Sequence, residues 1–291
     1  MRRFDYERPN SLEEAMALLA AGGRDARLLA GGTDLVVGLR DGSIEPAVVI
    51  DLKRAAGLDA GIGIAEGHLR IGALAVMGGI ESHAAVLRRF PALAEAARVV
   101  GSVQIRNRAT LAGNICNASP AADTAPPLLV HDSVVVVAGR AGQRSVPMDD
   151  FIEGPGQTAL RAGELVSAIE LPLPHADFGA AYVRLVRRRG TDLASVTLCA
   201  SIDGQGRVRV AYGSVGPRAF LVSDESGVLA DADASEDART AAWDRVFAQA
   251  SPSARSIRAA PDYRLAMLRV LGPRALEVAR SRLARGADAH G

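Results

Sequence analysis

The first fifty or so residues carry two hydrophobic periods in turn. Phe4 to Tyr6 and Ala26 to Ala30 read as short strands, and between them Leu12, Ala15, Met16 and Leu19 recur at helical spacing. Ser11-Leu12-Glu13-Glu14 is a capping box, whose hydroxyl and carboxylate satisfy orphan backbone donors at a helix start. Gly22-Gly23 ends that helix where a left-handed residue costs little. Leu35, Val36 and Leu39 predict a second, short helix, and Val48 to Asp51 a third strand. Strand alternating with helix predicts a small parallel β-α-β unit over residues 1 to about 55.

Residues 56–175 are less regular. A glycine-rich hairpin (Gly61 to Ile71), a helix (Ala92 to Val100) and apolar runs at Val134–Val137 and Leu165–Leu171 predict a second subdomain, a mixed sheet with helices. Leu171-Pro172-Leu173-Pro174-His175 marks the boundary, because two closely spaced prolines break helix and sheet alike. A further domain is expected over 178–285. Ala181–Val186, Val196–Ile202 and Arg207–Ala211 alternate as an antiparallel sheet with a turn at Asp203-Gly204. Trp243, Val246, Phe247 and Ala250 share one helical face, and Leu265, Leu268 and Leu276 with Val278-Ala279 fall in later helices. The predicted class is α+β: two subdomains followed by an antiparallel sheet with a helix bundle.

At 291 residues the chain can bury a large core without disulfides or structural metal. Its two cysteines, Cys116 and Cys199, stand far apart, so this chain has neither a zinc ribbon nor the ligands for an iron-sulfur cluster. With 34 basic and 33 acidic residues the net charge is +1, which disfavours nucleic acid or anionic lipid as a partner. The start of the chain runs from two arginines into acidic residues and is not expected to be a secretory signal. No window approaches the roughly 20 apolar residues of a membrane span, so a cytoplasmic protein is expected.

Two segments carry candidate chemistry. Leu28-Leu29-Ala30-Gly31-Gly32-Thr33-Asp34-Leu35 runs from a strand through paired glycines into a helix. Such a bend serves as a tight turn, or lets backbone N–H groups surround phosphate oxygens. Asp34 serves equally as a helix cap or as a ligand contact. From Gly101 to Asp123 the chain is dense in small and hydrogen-bonding residues, which suits an exposed loop or a lined cleft.

Ala30-Gly31-Gly32-Thr33-Asp34-Leu35, together with the unbroken stretch from Ile105-Arg106-Asn107-Arg108-Ala109-Thr110-Leu111-Ala112-Gly113-Asn114 to Leu129, closely resembles the FAD-binding medium subunit of molybdenum hydroxylases, the xanthine dehydrogenase and carbon monoxide dehydrogenase family. The resemblance continues through Phe151–Thr158 and Glu164–Val166 to Asp262-Tyr263-Arg264 and Arg274-Ala275-Leu276. It implies a PCMH-type FAD-binding unit over 1–175 and a C-terminal domain of the carbon monoxide dehydrogenase flavoprotein type. By the same resemblance, Leu28 to Leu35 wrap the FAD pyrophosphate and Thr110, Leu111, Ala112, Gly113 and Asn114 form the second glycine loop. Asp123, Val100, Val166 and Arg184 fall at further flavin contacts.

The implied function is electron transfer in an oxidoreductase complex. A large molybdopterin-binding subunit hydroxylates substrate and a small subunit relays electrons through [2Fe-2S] clusters. FAD in this chain passes them to NAD, oxygen, a quinone or another electron acceptor. A dimer of heterotrimers is the implied assembly. Ala112 stands where the family carries glycine, and would be strained if the site needs positive φ. Val100 replaces an aromatic ring and Arg184 a lysine. Two alternatives remain: a stand-alone flavin oxidase or reductase, for which no proton donor stands out, and a non-catalytic assembly subunit that has lost its flavin.

The weaker signals suggest no metal site. His68, His83, His131, His175 and His290 are scattered and read as structural or surface residues. Cys116 reads as a small buried residue. Arg187-Arg188-Arg189 reads as a solvated strand end, or else as a docking surface for an acidic partner.

Overall fold

In the computed structural model, which describes residues 2–175 and 177–288, the N-terminal unit is a three-stranded parallel sheet. Strands β1 (Asp5–Glu7), β2 (Ala26–Leu29) and β3 (Val48–Asp51) lie in the order β1-β3-β2. The helix Leu12–Gly22 between β1 and β2 is capped as its sequence predicts. Ser11 Oγ accepts the Glu14 N–H at 3.1 Å, and the Glu14 carboxylate accepts the Asn10 N–H at 2.7 Å. Ala15 and Met16 form its buried face. His290 lies outside the described residues.

The middle subdomain begins with the hairpin of β4 (Ile62–Ala65) and β5 (His68–Gly72), whose two turn residues, Glu66 and Gly67, both take positive φ, as a two-residue connection demands. Strands β6 (Val134–Gly139) and β7 (Gly142–Pro147) form a second hairpin, and β8 (Ile152–Gly154) with β9 (Gln157–Thr158) a separate ribbon. Strand β10 (Leu165–Pro172) closes the main sheet in the order β4-β5-β10-β6-β7, every pair antiparallel. The register of β10 against β6 shifts between Val166 and Ala168, leaving Ser167 as an extra residue whose Oγ donates to the Val136 carbonyl at 3.2 Å.

Strands β11 (Phe178–Leu185), β12 (Val196–Asp203), β13 (Val208–Gly213) and β14 (Phe220–Ser223) form an antiparallel sheet in sequence order. It is covered on both faces, so β12 is buried at every position but its last. Ala180, Tyr182, Cys199 and Ala211 pack into the core of the middle subdomain. Ala181, Leu198, Ala200 and Val210 pack with Trp243, Val246 and Leu268 from the helices Glu236–Val246 and Pro261–Asp288. The apolar pattern near the end forms one helix running through Pro273, not several, with Leu276 and Ala279 buried and Val278 exposed. Polar contacts reinforce the domain interface. The Arg209 guanidinium grips both Asp132 carboxylate oxygens at 2.6 Å, while Glu95 accepts the Tyr182 N–H at 3.0 Å and pairs with Arg282.

Candidate functional site

The two glycine segments meet in space. Leu28 and Leu29 end β2 half-buried, and the chain then bends through Ala30 to Asp34 into the helix Leu35–Asp41. Gly32 takes φ 76, which a side chain resists. Gly31 is needed for closeness instead: a Cβ there would lie 2.1 Å from the Arg108 carbonyl oxygen and 3.0 Å from Ala109 Cα. Among the described residues, no hydrogen bond takes up the backbone N–H groups of Gly31, Gly32, Thr33 or Asp34, so the half-buried bend presents a run of free donors. The Asp34 side chain is exposed and does not cap the helix.

Opposite the bend, Ala109–Leu111 is stitched to Ala75–Met77. The Met77 N–H donates to the Ala109 carbonyl at 2.8 Å and the Leu111 N–H to the Ala75 carbonyl at 3.2 Å. Thr110 caps the helix Leu111–Cys116, its Oγ1 accepting the Gly113 N–H at 3.0 Å. Ala112 sits in that first helical turn, 5% exposed and outside the positive-φ residues, so its methyl group brings no backbone strain. Gly101 to Asp123 is thus partly helical, exposed over most of Val103–Arg108 and buried from Ala109 to Ala112, with the Leu111 side chain wholly in the core.

From Asn114 a hydrogen-bond chain crosses to the C-terminal sheet. Asn114 Oδ1 accepts the hydroxyl of the fully buried Thr124 at 2.6 Å. The adjacent Asp123 accepts the Tyr182 hydroxyl on Oδ1 at 2.5 Å, and Arg184 Nη1 stands 3.3 Å from both of its oxygens. Burial raises the Asp123 carboxyl above its ordinary value, opposed by the Tyr182 hydrogen bond and the Arg184 charge. Burial and the neighbouring carboxylate push the Tyr182 phenol far up, so it stays protonated and serves as the donor. Tyr182 and Arg184 share one face of β11 because they alternate with Val183, which packs with the helices on the other.

Val100 follows the helix Pro91–Arg98 half-buried against the core, and Val166 lies 5% exposed beside the β10 bulge. Sequence reasoning missed Tyr182, Thr124 and the Ala75–Met77 strip. Only Tyr182 left a signal, standing two positions before Arg184 in a strand pattern.

No group of His, Cys, Asp and Glu among the described residues could hold a metal ion. Desolvation pushes the Cys116 thiol up to about 12, which removes it as a nucleophile. Arg187 and Arg188 close their own loop: the Arg187 guanidinium binds Asp192 at 3.0 Å, holding that carboxyl at about 2, and Arg188 donates to the Thr191 carbonyl.

Comparison with known proteins places the sequence and the fold in one family. The family model described as the FAD binding domain in molybdopterin dehydrogenase matches residues 2–174, and that of the CO dehydrogenase flavoprotein C-terminal domain matches residues 181–279. The carbon monoxide dehydrogenase medium chain of Hydrogenophaga pseudoflava is 33% identical over 285 residues, 97% of this chain and 99% of that one. The xanthine dehydrogenase FAD-binding subunit of Escherichia coli O157:H7 is 30% identical over 272 residues, 91% of this chain and 92% of that one. The solved quinoline 2-oxidoreductase from Pseudomonas putida 86 superposes with a TM-score of 0.87 at 28% identity, covering 97% of this chain and 99% of its own.

Proposed function

The chain belongs to the FAD-binding medium-subunit family of the molybdenum hydroxylases, a family of oxidoreductases, and from that premise we propose that it is the electron-transfer subunit of such a complex. It would stand between the [2Fe-2S] clusters of a small partner subunit and a terminal acceptor, which is NAD, oxygen, a quinone or another carrier. A large subunit holding the molybdenum cofactor would hydroxylate the substrate, in a cytoplasmic dimer of heterotrimers. FAD, when bound, supplies the exchange between one-electron and two-electron chemistry.

This chain's own residues bind and orient that group. The free N–H groups from Gly31 to Asp34 suit pyrophosphate oxygens, and Thr110 to Asn114 follow directly on the Arg108–Ala109 stretch that Gly31 touches. Asp123, with Oδ1 held by Tyr182 and Oδ2 accepting a long hydrogen bond from Arg184, has acceptor capacity left on Oδ2 for a cofactor hydroxyl or ring group. Val100 and Val166 supply apolar contact. Residues 1–175 form the FAD-binding part in this reading, with subdomains meeting near residue 55, and 178–285 the covering domain. No helix among the described residues is long and apolar enough to cross a membrane.

The observation that carries the reading is the seating of Gly31 on Arg108–Ala109, which puts a bend of free donors against the second glycine segment. The helical setting of Ala112 removes one ground for a flavin-free assembly subunit. The visible spectrum of the tagged chain, purified after co-expression with its genomic neighbours, tests the proposal. Flavin bands overlaid with iron-sulfur absorption are expected. A colourless protein would overturn the flavin assignment, and flavin without partners would move the reading to a stand-alone flavoenzyme.

A further inference from the structure

Arg264 is a buried arginine with no counter-charge among the described residues. It lies in the first turn of the helix Pro261–Asp288 and is 5% exposed. Its Nη1 donates to the Ser214 carbonyl at 2.8 Å and its Nη2 to the Ser256 hydroxyl, but its Nε has no partner among the described residues. The Ser214 hydroxyl, also buried, has none either, and Ser214 is held at φ 65, an uncommon conformation for a residue with a side chain.

Both residues line a cavity of about 490 Å³. Arg258 and the hydroxyl-bearing Ser119 and Ser253 line it as well, with Leu193 among its apolar wall residues, and among the described residues no Asp or Glu does. Desolvation, with a further contribution from the Arg258 charge, pulls the Arg264 pKa below its ordinary value. Two guanidinium groups therefore share a small cavity without a carboxylate. Buried charge is normally paired, so a buried arginine and a second guanidinium around a cavity with no carboxylate mark a place for an anion. Asp262, Tyr263 and Arg264 lie outside the two glycine segments and the Asp123–Tyr182–Arg184 cluster.

We propose that this cavity is a second binding site, for a small phosphate-bearing molecule. A phosphate group offers several charged oxygens, enough to meet the planar fork of Arg258 while its charge offsets that of Arg264 in the cavity wall. The remaining volume accommodates more than inorganic phosphate, so the natural occupant is an organic phosphate whose body rests on Leu193 and its neighbours. The site is built from side chains other than those assigned to FAD and holds independently of that assignment.

Calorimetric titration of the FAD-loaded protein with inorganic phosphate, ADP and adenosine tests the proposal. Phosphate and ADP are expected to bind and adenosine not. Arg258→Gln should weaken both by at least about tenfold, the scale of one charge-assisted contact, with flavin absorbance unchanged. Arg264→Lys should weaken them as well; if that buried variant fails to fold, the more exposed Arg258→Gln decides alone. Absence of binding at millimolar phosphate and ADP, or equal binding by Arg258→Gln, would overturn the site. So would phosphate binding only to flavin-depleted protein, which would assign it to the glycine segments. A chain that retains no FAD still reports on this cavity, because Arg258 belongs to neither glycine segment.

Discussion

The α-carbon of Gly31 rests against the carbonyl of Arg108 with no room for a methyl group: a Cβ would come within 2.1 Å of the oxygen. That oxygen is backbone, anchored one residue before a segment hydrogen-bonded to Ala75–Met77, so it cannot swing away as a side chain could. Gly31 thus holds the two candidate flavin segments together from the protein side, without itself needing an unusual φ.

Substituting Gly31→Ala should force the segments apart at a cost of at least about 2 kcal/mol, toward the upper end of overpacking penalties, and release most of the flavin. Gly113→Ala should be close to neutral. Its added methyl meets only Thr110 Oγ1, and a gain of about 1 kcal/mol in helix propensity offsets a weakened cap of similar size. Thermal unfolding of both variants checks this difference in stability, and equal midpoints would refute it.

Tyr182→Phe removes the hydroxyl from Asp123 while keeping the ring. A loss on the order of 1–2 kcal/mol is expected, and the Asp123 carboxyl, already raised by burial, should titrate at still higher pH. Carbon-13 NMR of the labelled carboxylate reads that shift directly. An unchanged titration would show that Arg184 alone holds the carboxylate.

His131 lies between Phe90 and Phe178, ring centroids 4.9 and 5.2 Å away, and burial pushes it down to about 4. An unfolded histidine titrates near 6.5, so between those values only the unfolded chain takes the proton. Stability present above pH ~6.5 should therefore decline by on the order of 3 kcal/mol as pH falls toward about 4. Denaturant midpoints of wild type and His131→Leu across that range should diverge, the variant lacking this slope.

Desolvation raises both thiols, that of the half-buried Cys116 to about 12 and that of the buried Cys199 well above the ordinary range. Neither forms appreciable thiolate near neutral pH. A disulfide reagent should modify neither in the native protein and both in guanidinium chloride. Cys116→Ala should retain its flavin, and rapid native labelling of Cys116 would contradict the burial argument.

Period and punctuation in the sequence were enough to locate the elements. The alternation at 181–202, the capping box at Ser11 and the small polar residues from Gly101 to Asp123 each express a local preference, and local preference depends on neighbours in the chain. The resemblance carried by Ala30–Leu35 and Ile105–Leu129 brought the flavin assignment with it, again from contiguous residues.

What sequence could not decide were relations between residues far apart along the chain. That Gly31 abuts Arg108, that Tyr182 holds Asp123, and that Ala112 falls in a helical turn, not a left-handed one, depend on how three sheets pack. The lack of a counter-charge for Arg264 among the described residues is likewise visible only once its neighbours have been placed. Hydrophobic pattern specifies which face of a strand or helix is buried. Close packing then determines which polar atoms that burial brings together and which it leaves without a partner.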